Sequence, residues 1–449
     1  MIKPKPFILI DGVEIPAGLD FTRDFASVVA SGFAIQWGRS DYMDQPQAGS
    51  MSVTLYDKSG LWSTSKEIIG LPITAGMWWD AKQKTLFRGR ITDATLTVVE
   101  GSDPRIFALS LSCTDKIGEL GQTYVSDVRW PAENYSNRAA RIMAAGGNKI
   151  VAGIAGGGGQ VVEVLEIENS SLLELTQMLI ESAGDRMAYD PETNRIETLG
   201  RLKLTGQNLI RIQLDDSGLY GVGLNPAEGP TVGANTLTTP GGLSRSISSG
   251  ITEVRVMHTR TDTGSAKTYN VTSSKLTGLS EEKLGRRVLT VQTQMYDLIY
   301  QNVVSQHEWI DYLLDLYVSI CKEEGQQWVH PPVTWDSRYS DGFRSEAEMF
   351  TVLRCTEVRL PVHFQNSIYN SVVSHVPVYR IIGGTTEYIG GPKGGWVSTI
   401  NPGPVYVSTT GTPVTWSTVN TSSSNIIGWK DLDRISGWGS YAKATQGVI

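Results

Sequence analysis

The sequence predicts a mainly β fold with α+β: two small antiparallel β-barrel or sandwich modules flank a helix-containing α+β region, and a β-rich C-terminal extension follows. Three observations carry this. Apolar and polar residues alternate over short runs towards both ends of the chain, the period of half-buried strands. The hydrophobic period turns helical only in the middle and again after residue 300. Glycine (47) and tryptophan (12) are abundant among many Ser and Thr, a composition that favours strands and turns. At 449 residues the chain exceeds one ordinary core, so several domains are expected. Its 40% hydrophobic and 19% charged residues are those of a folded chain rather than a disordered one.

The clearest β signal runs from Ser50 to Cys113. Met51, Val53 and Leu55 alternate with Ser52, Thr54 and Tyr56, and Asp57-Lys58-Ser59-Gly60 supplies a turn. Further strands are expected at Met77–Trp79, Thr85–Ile91 and Ile106–Ser112. Upstream, Asp11-Gly12 between two apolar runs signals a tight hairpin, and Phe33–Trp37 adds a strand. Residues 1–118 therefore read as the first β module.

Residues 119–225 read as the α+β region. A helix is expected over Ala132–Ala145, ending at Gly146-Gly147. Ser171 and Glu174 form a capping box for a second helix, whose face carries Leu172, Leu175 and Leu179 and which stops at Gly184. Arg186–Tyr189, the turn Asp190–Asn194 and Arg195–Leu199 then read as a hairpin. Residues 226–299 begin with a Gly/Pro/Ser/Thr-rich joint and resume strand alternation at Ile251–Val256. Residues 300–390 hold the strongest helix, Tyr300–Lys322, with Val303, His307, Ile310, Leu314 and Tyr317 in one stripe. Strands of the second β module follow at Trp328–Trp335, Phe350–Val358 and Val372–Ile382. Residues 391–449, with Trp396, Trp416, Trp429 and Trp438, are either an appended β segment or an extended arm.

This order of elements resembles the tail-tip baseplate hub, or minor tail, proteins of siphophages, particularly those of actinobacterial hosts. The resemblance covers roughly residues 5–390. It rests on the alternating strand with its Asp57 turn and Leu61-Trp62 exit, on Leu86-Phe87-Arg88-Gly89-Arg90-Ile91, on the closing strand into Cys113-Thr114-Asp115, and on the Gly-Gly steps after Tyr379. It implies a structural, non-enzymatic virion protein at the distal tail tip, made in the host cytoplasm. It also implies a homotrimer whose two β modules per chain build a ring around the channel for the tape measure protein and DNA. The implied partners are the distal tail protein ring, the tape measure protein and other minor tail proteins. The alternative from another class is a tail-tip adhesin, or a protein that binds or hydrolyses the host cell wall. Only about 60 residues follow the Gly-Gly steps, too few for an ordinary hydrolase core.

Read for chemistry, the sequence names no catalytic, cofactor-binding or metal-ligating residue, and no cofactor. The net charge of −7 comes without a basic block, which argues against sequence-independent nucleic-acid binding. No secretory leader and no membrane span are expected. Cys113, Cys321 and Cys355 lie far apart and read as buried thiols of a reducing compartment rather than a zinc set. His307-Glu308-Trp309-Ile310-Asp311 lacks the second histidine of a zinc-protease helix. Gly156–Gly159 lacks the Lys-Ser/Thr of a phosphate loop. Asp190, Glu192, Asn194 and Glu197 lack a calcium-loop frame and read as a hairpin turn. The adjacent pairs Glu281-Glu282 and Glu323-Glu324 diverge on a helix, and His258, His330, His363 and His375 read as structural. Trp78, Trp79 and the C-terminal tryptophans suit core packing, a protein interface or sugar stacking.

Overall fold

The computed structural model describes residues 4–17, 27–39, 45–64, 67–79, 81–102, 105–146, 152–153, 160–200, 209–211, 213–214, 220–221, 237–238, 250–262, 267–299, 307–326, 332–339, 357–359, 362–366, 371–375, 378–391 and 393–405. The architecture is mainly β, with a curled antiparallel sheet and a smaller helical share.

Seven strands build the first β unit: β1 (Lys5–Ile10), β2 (Val13–Ile15), β3 (Val28–Gly38), β4 (Ser50–Asp57), β5 (Pro72–Trp79), β6 (Lys82–Val98) and β7 (Phe107–Asp115). Their order is β3-β4-β7-β6-β5-β1-β2, every pair antiparallel. The sheet curls until its end meets its start, where the Ala30 amide donates to the Pro16 carbonyl and Ala17 bridges Ala30. The Asp11-Gly12 turn has both φ angles positive, 49° and 77°, the conformation a two-residue hairpin needs. Met51, Val53 and Leu55 are buried together with Ile35, Phe87, Ile91, Leu109 and Leu111. At Gly89 a Cβ would lie 1.9 Å from the Thr114 carbonyl oxygen, so the strands cross there only because no side chain is present. Asp57 ends β4 with a buried carboxylate that accepts from the amides of Gly60, Trp62 and Ser63 and the hydroxyls of Ser59 and Ser63. Burial by itself would raise this carboxyl, but those bonds hold it below its ordinary value.

The middle of the chain comprises α1 (Lys116–Gly121), β8 (Tyr124–Trp130), β9 (Glu133–Asn134), α2 (Tyr135–Ala145), β10 (Ala152–Gly153), β11 (Val161–Val162), β12 (Leu165–Ser171), α3 (Leu172–Ser182), β13 (Asp185–Asp190) and β14 (Arg195–Gly200). Both halves of the Ser171/Glu174 capping box are formed. Leu172, Leu175 and Leu179 enter a core with Trp130, Tyr135, Ile142 and Met187. Gly184, with φ of 67°, ends this helix.

Short pieces β15 (Leu209–Arg211), β16 (Gln213–Leu214), β17 (Tyr220–Gly221) and β18 (Leu237–Thr238) precede a longer group: β19 (Glu253–Asp262), β20 (Lys267–Leu276), α4 (Glu281–Leu284), β21 (Val288–Ile299) and α5 (His307–Gln326). A five-stranded sheet runs β20-β19-β21-β11-β9 and so ties this group to the middle of the chain. The Ile310, Leu314 and Tyr317 stripe of α5 packs with Leu313, Ile320 and Cys321 over Val254 and Val256. The expected start of that helix, residues 300–306, lies outside the described residues.

Last come β22 (Val333–Asp336), β23 (Glu357–Arg359), β24 (Val362–Asn366), β25 (Ser371–His375), β26 (Val378–Ile389) and β27 (Gly395–Val405). β26 pairs with β3 from Gly383↔Gly38 to Tyr388↔Phe33, and the order continues β26-β27-β22-β18. Strands from the two ends of the chain thus share one sheet.

Candidate assembly surfaces

The residues that sequence reading singled out for chemistry are spread across the molecule. Among the described residues, no group of three His, Cys, Asp or Glu side chains could hold a metal ion, and no helix is long and apolar enough to cross a membrane. Asp190 is occupied by its own turn, accepting from the Glu192 and Thr193 amides and the Thr193 hydroxyl. Asn194, which closes the turn, accepts from the Tyr189 hydroxyl, with its backbone at a φ of 58°. His258 is buried on β19, its Nε2 3.0 Å from the Ser273 hydroxyl. His363 and His375 fall on the hairpin β24–β25. Glu281 and Glu282 are exposed on α4. His307 opens α5 and Asp311 is exposed on it, while Glu323 and Glu324 lie in its last turns. Gly156–Gly159, His330, Cys355, Trp416, Trp429 and Trp438 fall outside the described residues. Cys113 and Cys321 are buried, and burial pushes the Cys113 thiol up to about 12.

What the fold does bring together are joints between its parts. Trp396 of β27 is buried: its indole N–H donates to the Pro4 carbonyl at 2.9 Å, and its ring meets Phe33 and Tyr388 edge-on at 5.7 and 5.0 Å. Trp79 is buried in the first core, and Trp78 makes an edge contact with Phe7 at 5.9 Å. Gln45 bolts the barrel to the middle region, donating to the Asp185 carbonyl and accepting from the Met187 amide. The Tyr189 hydroxyl that bonds Asn194 also lies 3.2 Å from the Arg88 carbonyl oxygen across the same joint, so its one proton is shared between the two acceptors. Asp115 ends β7 and caps α1, accepting from the amides of Ile117 and Gly118. Burial raises it to about 6, with a smaller push from Glu119, although its amide donors favour the ionised form. Gln45 and the capping role of Asp115 escaped the sequence reading. The Asp ahead of Lys-Ile-Gly-Glu was the readable signal for the second.

The remaining surface of interest is apolar and lies along strands. β6 continues past β5, exposing Leu96 (47%) and Val98 (51%). The two-stranded ribbon β8–β12 exposes Tyr124 and Val128. β20, an edge strand, exposes Tyr269 and Leu276. Flat strand edges with apolar side chains are protein-pairing surfaces, so the geometry suits assembly with other protein chains.

No protein-family model matches the sequence, and no curated protein matches it significantly. Solved structures do. The tail protein from Neisseria meningitidis MC58 aligns over 89% of this chain and 97% of its own, with a TM-score of 0.51 and 11% identity. The 43 kDa tail protein of prophage MuSo2 from Shewanella oneidensis aligns over 89% and 98%, with a TM-score of 0.49 and 12% identity. A component of the type VI secretion system of E. coli, described as similar to the bacteriophage T4 tail proteins gp27 and gp5, aligns over 88% and 76%, with a TM-score of 0.43 and 10% identity. At 11% identity the first of these likenesses establishes the fold, which is that of a tail protein.

Proposed function

We propose that this chain is a structural protein of a phage tail, acting as a homotrimeric hub at the distal tip. There it adapts the symmetry of the tail to threefold and surrounds the channel through which the tape measure protein and DNA leave. The observation that carries this reading is the likeness to a tail protein over nearly the full length of both chains. A likeness of that extent compares the whole order of elements, not one common β unit. The edge-to-edge union of β3 with β26 supports it, because one chain then contributes a long continuous sheet of the kind a tube wall needs. Exposed strand edges supply further protein contacts, with the distal tail protein ring and other minor tail proteins as the partners. The reading assigns the chain no reaction of its own.

Cryo-EM of the virion that encodes this chain is the test. Density for three copies at the tail tip is the expected result. Tips without it, together with purified protein that stays monomeric by mass photometry at micromolar concentration, would sink the hub reading. A turbidity assay on host cell walls is expected to show no clearing, whereas clearing would favour a wall-degrading protein.

A further inference from the structure

Among the described residues, two strand edges of opposite charge lie open. The first belongs to β6. β5 pairs with it as far as Arg90, and the backbone of Gly70 and Leu71 bonds Ile91. Beyond that, among the described residues, Asp93–Val98 is bonded only by β7. Ala94, Leu96 and Val98 share one face of this overhang, beside the buried Leu109 and Leu111 that pair with Leu96 and Ala94. The overhang therefore prolongs the core face beyond the core. Asp93 and Glu100 are exposed, and no Lys, Arg or His occurs between Arg90 and Arg105.

The second edge is β20. It pairs with β19 at ten successive positions without a bulge, and no described strand takes its outer side. Its sequence holds Lys267 and Lys275 and no acid, and it exposes Tyr269 (49%) and Leu276 (65%). Lys275 pairs with Asp315 of α5, but both side chains are about half exposed or more. Such a pair contributes little in water and leaves the lysine able to face a second carboxylate. Neither edge carries a proline, the usual guard of an open strand.

We propose that the β6 overhang of one copy of this chain is completed by β20 of a second copy. Charge selects the unlike pairing. Two overhangs set side by side would oppose their acids, and two β20 edges their lysines, and like charges across a strand pair are destabilising. Side chains alternate along both strands, so joining overhang to β20 with Asp93 on the face of Lys275 sets acid beside base and puts apolar Leu96 and Val98 on the face of Leu276. A contact between unlike surfaces repeats from copy to copy and closes into a ring when the rotation permits. The inference rests on the homo-oligomer reading above and names the surfaces that reading leaves open.

The test is a charge swap in the full chain. Asp93→Lys and Lys275→Glu are made separately and together, and self-association is followed by analytical ultracentrifugation at low salt. Each single variant is expected to weaken association about 10-fold, and the double variant to regain most of it. Both positions are exposed, so unchanged thermal unfolding of the monomer confirms that each variant folds. Hydrogen exchange at Asp93–Val98 is expected to slow as the wild type assembles. If the wild type assembles but the singles bind normally, the double fails to recover or exchange stays unchanged, the proposal falls and the homo-oligomer reading stands. If the wild type stays monomeric, the homo-oligomer reading falls as well.

Discussion

β3 and β6 each run past one of their two barrel neighbours, and on that side they meet opposite fates. On β3 the over-running Phe33–Gly38 is paired by β26, and Phe33 and Ile35 are buried. On β6 the over-running Asp93–Val98 has no second partner strand among the described residues, and Leu96 and Val98 are exposed. Both place an apolar residue at every second position, so the period alone does not decide the outcome. Glycine does part of the deciding. A Cβ at Gly32 would sit 2.1 Å from the Tyr388 carbonyl oxygen, and one at Gly390 would sit 1.6 Å from the Ser31 carbonyl oxygen. The covered overhang is fitted for close backbone approach within the chain. The open one, from Thr92 to Val98, contains no glycine.

The contrast is broken most severely at Trp396, which seals the covered overhang. Trp396→Ala removes a buried indole, two aromatic contacts and the bond to the Pro4 carbonyl. It is expected to destabilise by about 4 kcal/mol in urea unfolding. A loss below about 1 kcal/mol would mean that β26 and β27 hold to β3 without it. Next in size is Gly32→Ala. The atoms a new Cβ would meet are backbone, so relief requires the strands to part. A loss of about 3 kcal/mol is expected, and a neutral result would mean the close approach is not needed for the two strands to pair.

Asp115 ends β7, the strand that backs the open overhang, and its effect follows pH. Its folded value is about 6, against an ordinary 3.8. Between those values the folded chain holds a proton that the unfolded chain has released. Its contribution to stability is therefore greatest below about pH 4 and is lost as pH rises through 6, by on the order of 3 kcal/mol. Asp115→Asn keeps an oxygen for the Ile117 and Gly118 amides and removes the buried charge. Its unfolding free energy should exceed that of the wild type at pH 7, with the slope between pH 4 and 6 flattened. An unchanged slope would remove Asp115 as its cause.

Much of the covered side was legible in the sequence as pieces, though not as a pair. Phe33–Trp37 announces a strand by period, as do Met51, Val53 and Leu55, and Phe33, Ile35 and those three are buried. The Asp11-Gly12 turn, the Ser171/Glu174 box and the Leu172, Leu175, Leu179 face are likewise set by neighbours a few residues apart. Pairing of β3 with β26 spans about 350 residues, and nothing in either strand encodes that distance. The glycines after Tyr379 were readable only as a Gly-Gly step, because close approach depends on what arrives. The open overhang was lost for a different reason. Reading by the strong apolar positions Phe87 and Ile91 stops the strand there, whereas β6 runs on to Val98 through threonines whose alternation with Ala94, Leu96 and Val98 is weaker.

The smallest expected effect is the one that best sharpens the contrast. Leu96→Ser exchanges an exposed apolar side chain for a small polar one, at a site where no described strand takes the outer side. In the monomer its unfolding free energy should stay within about 0.5 kcal/mol of the wild type, as surface positions do. Phe33→Ser, at a buried position of the covered overhang, should in the same assay lose several times more. If Leu96→Ser instead matched that loss in a demonstrably monomeric sample, the β6 overhang would have to be covered within the single chain. The two overhangs would then differ only in which part of the chain covers them, and no edge would be left there for a second copy.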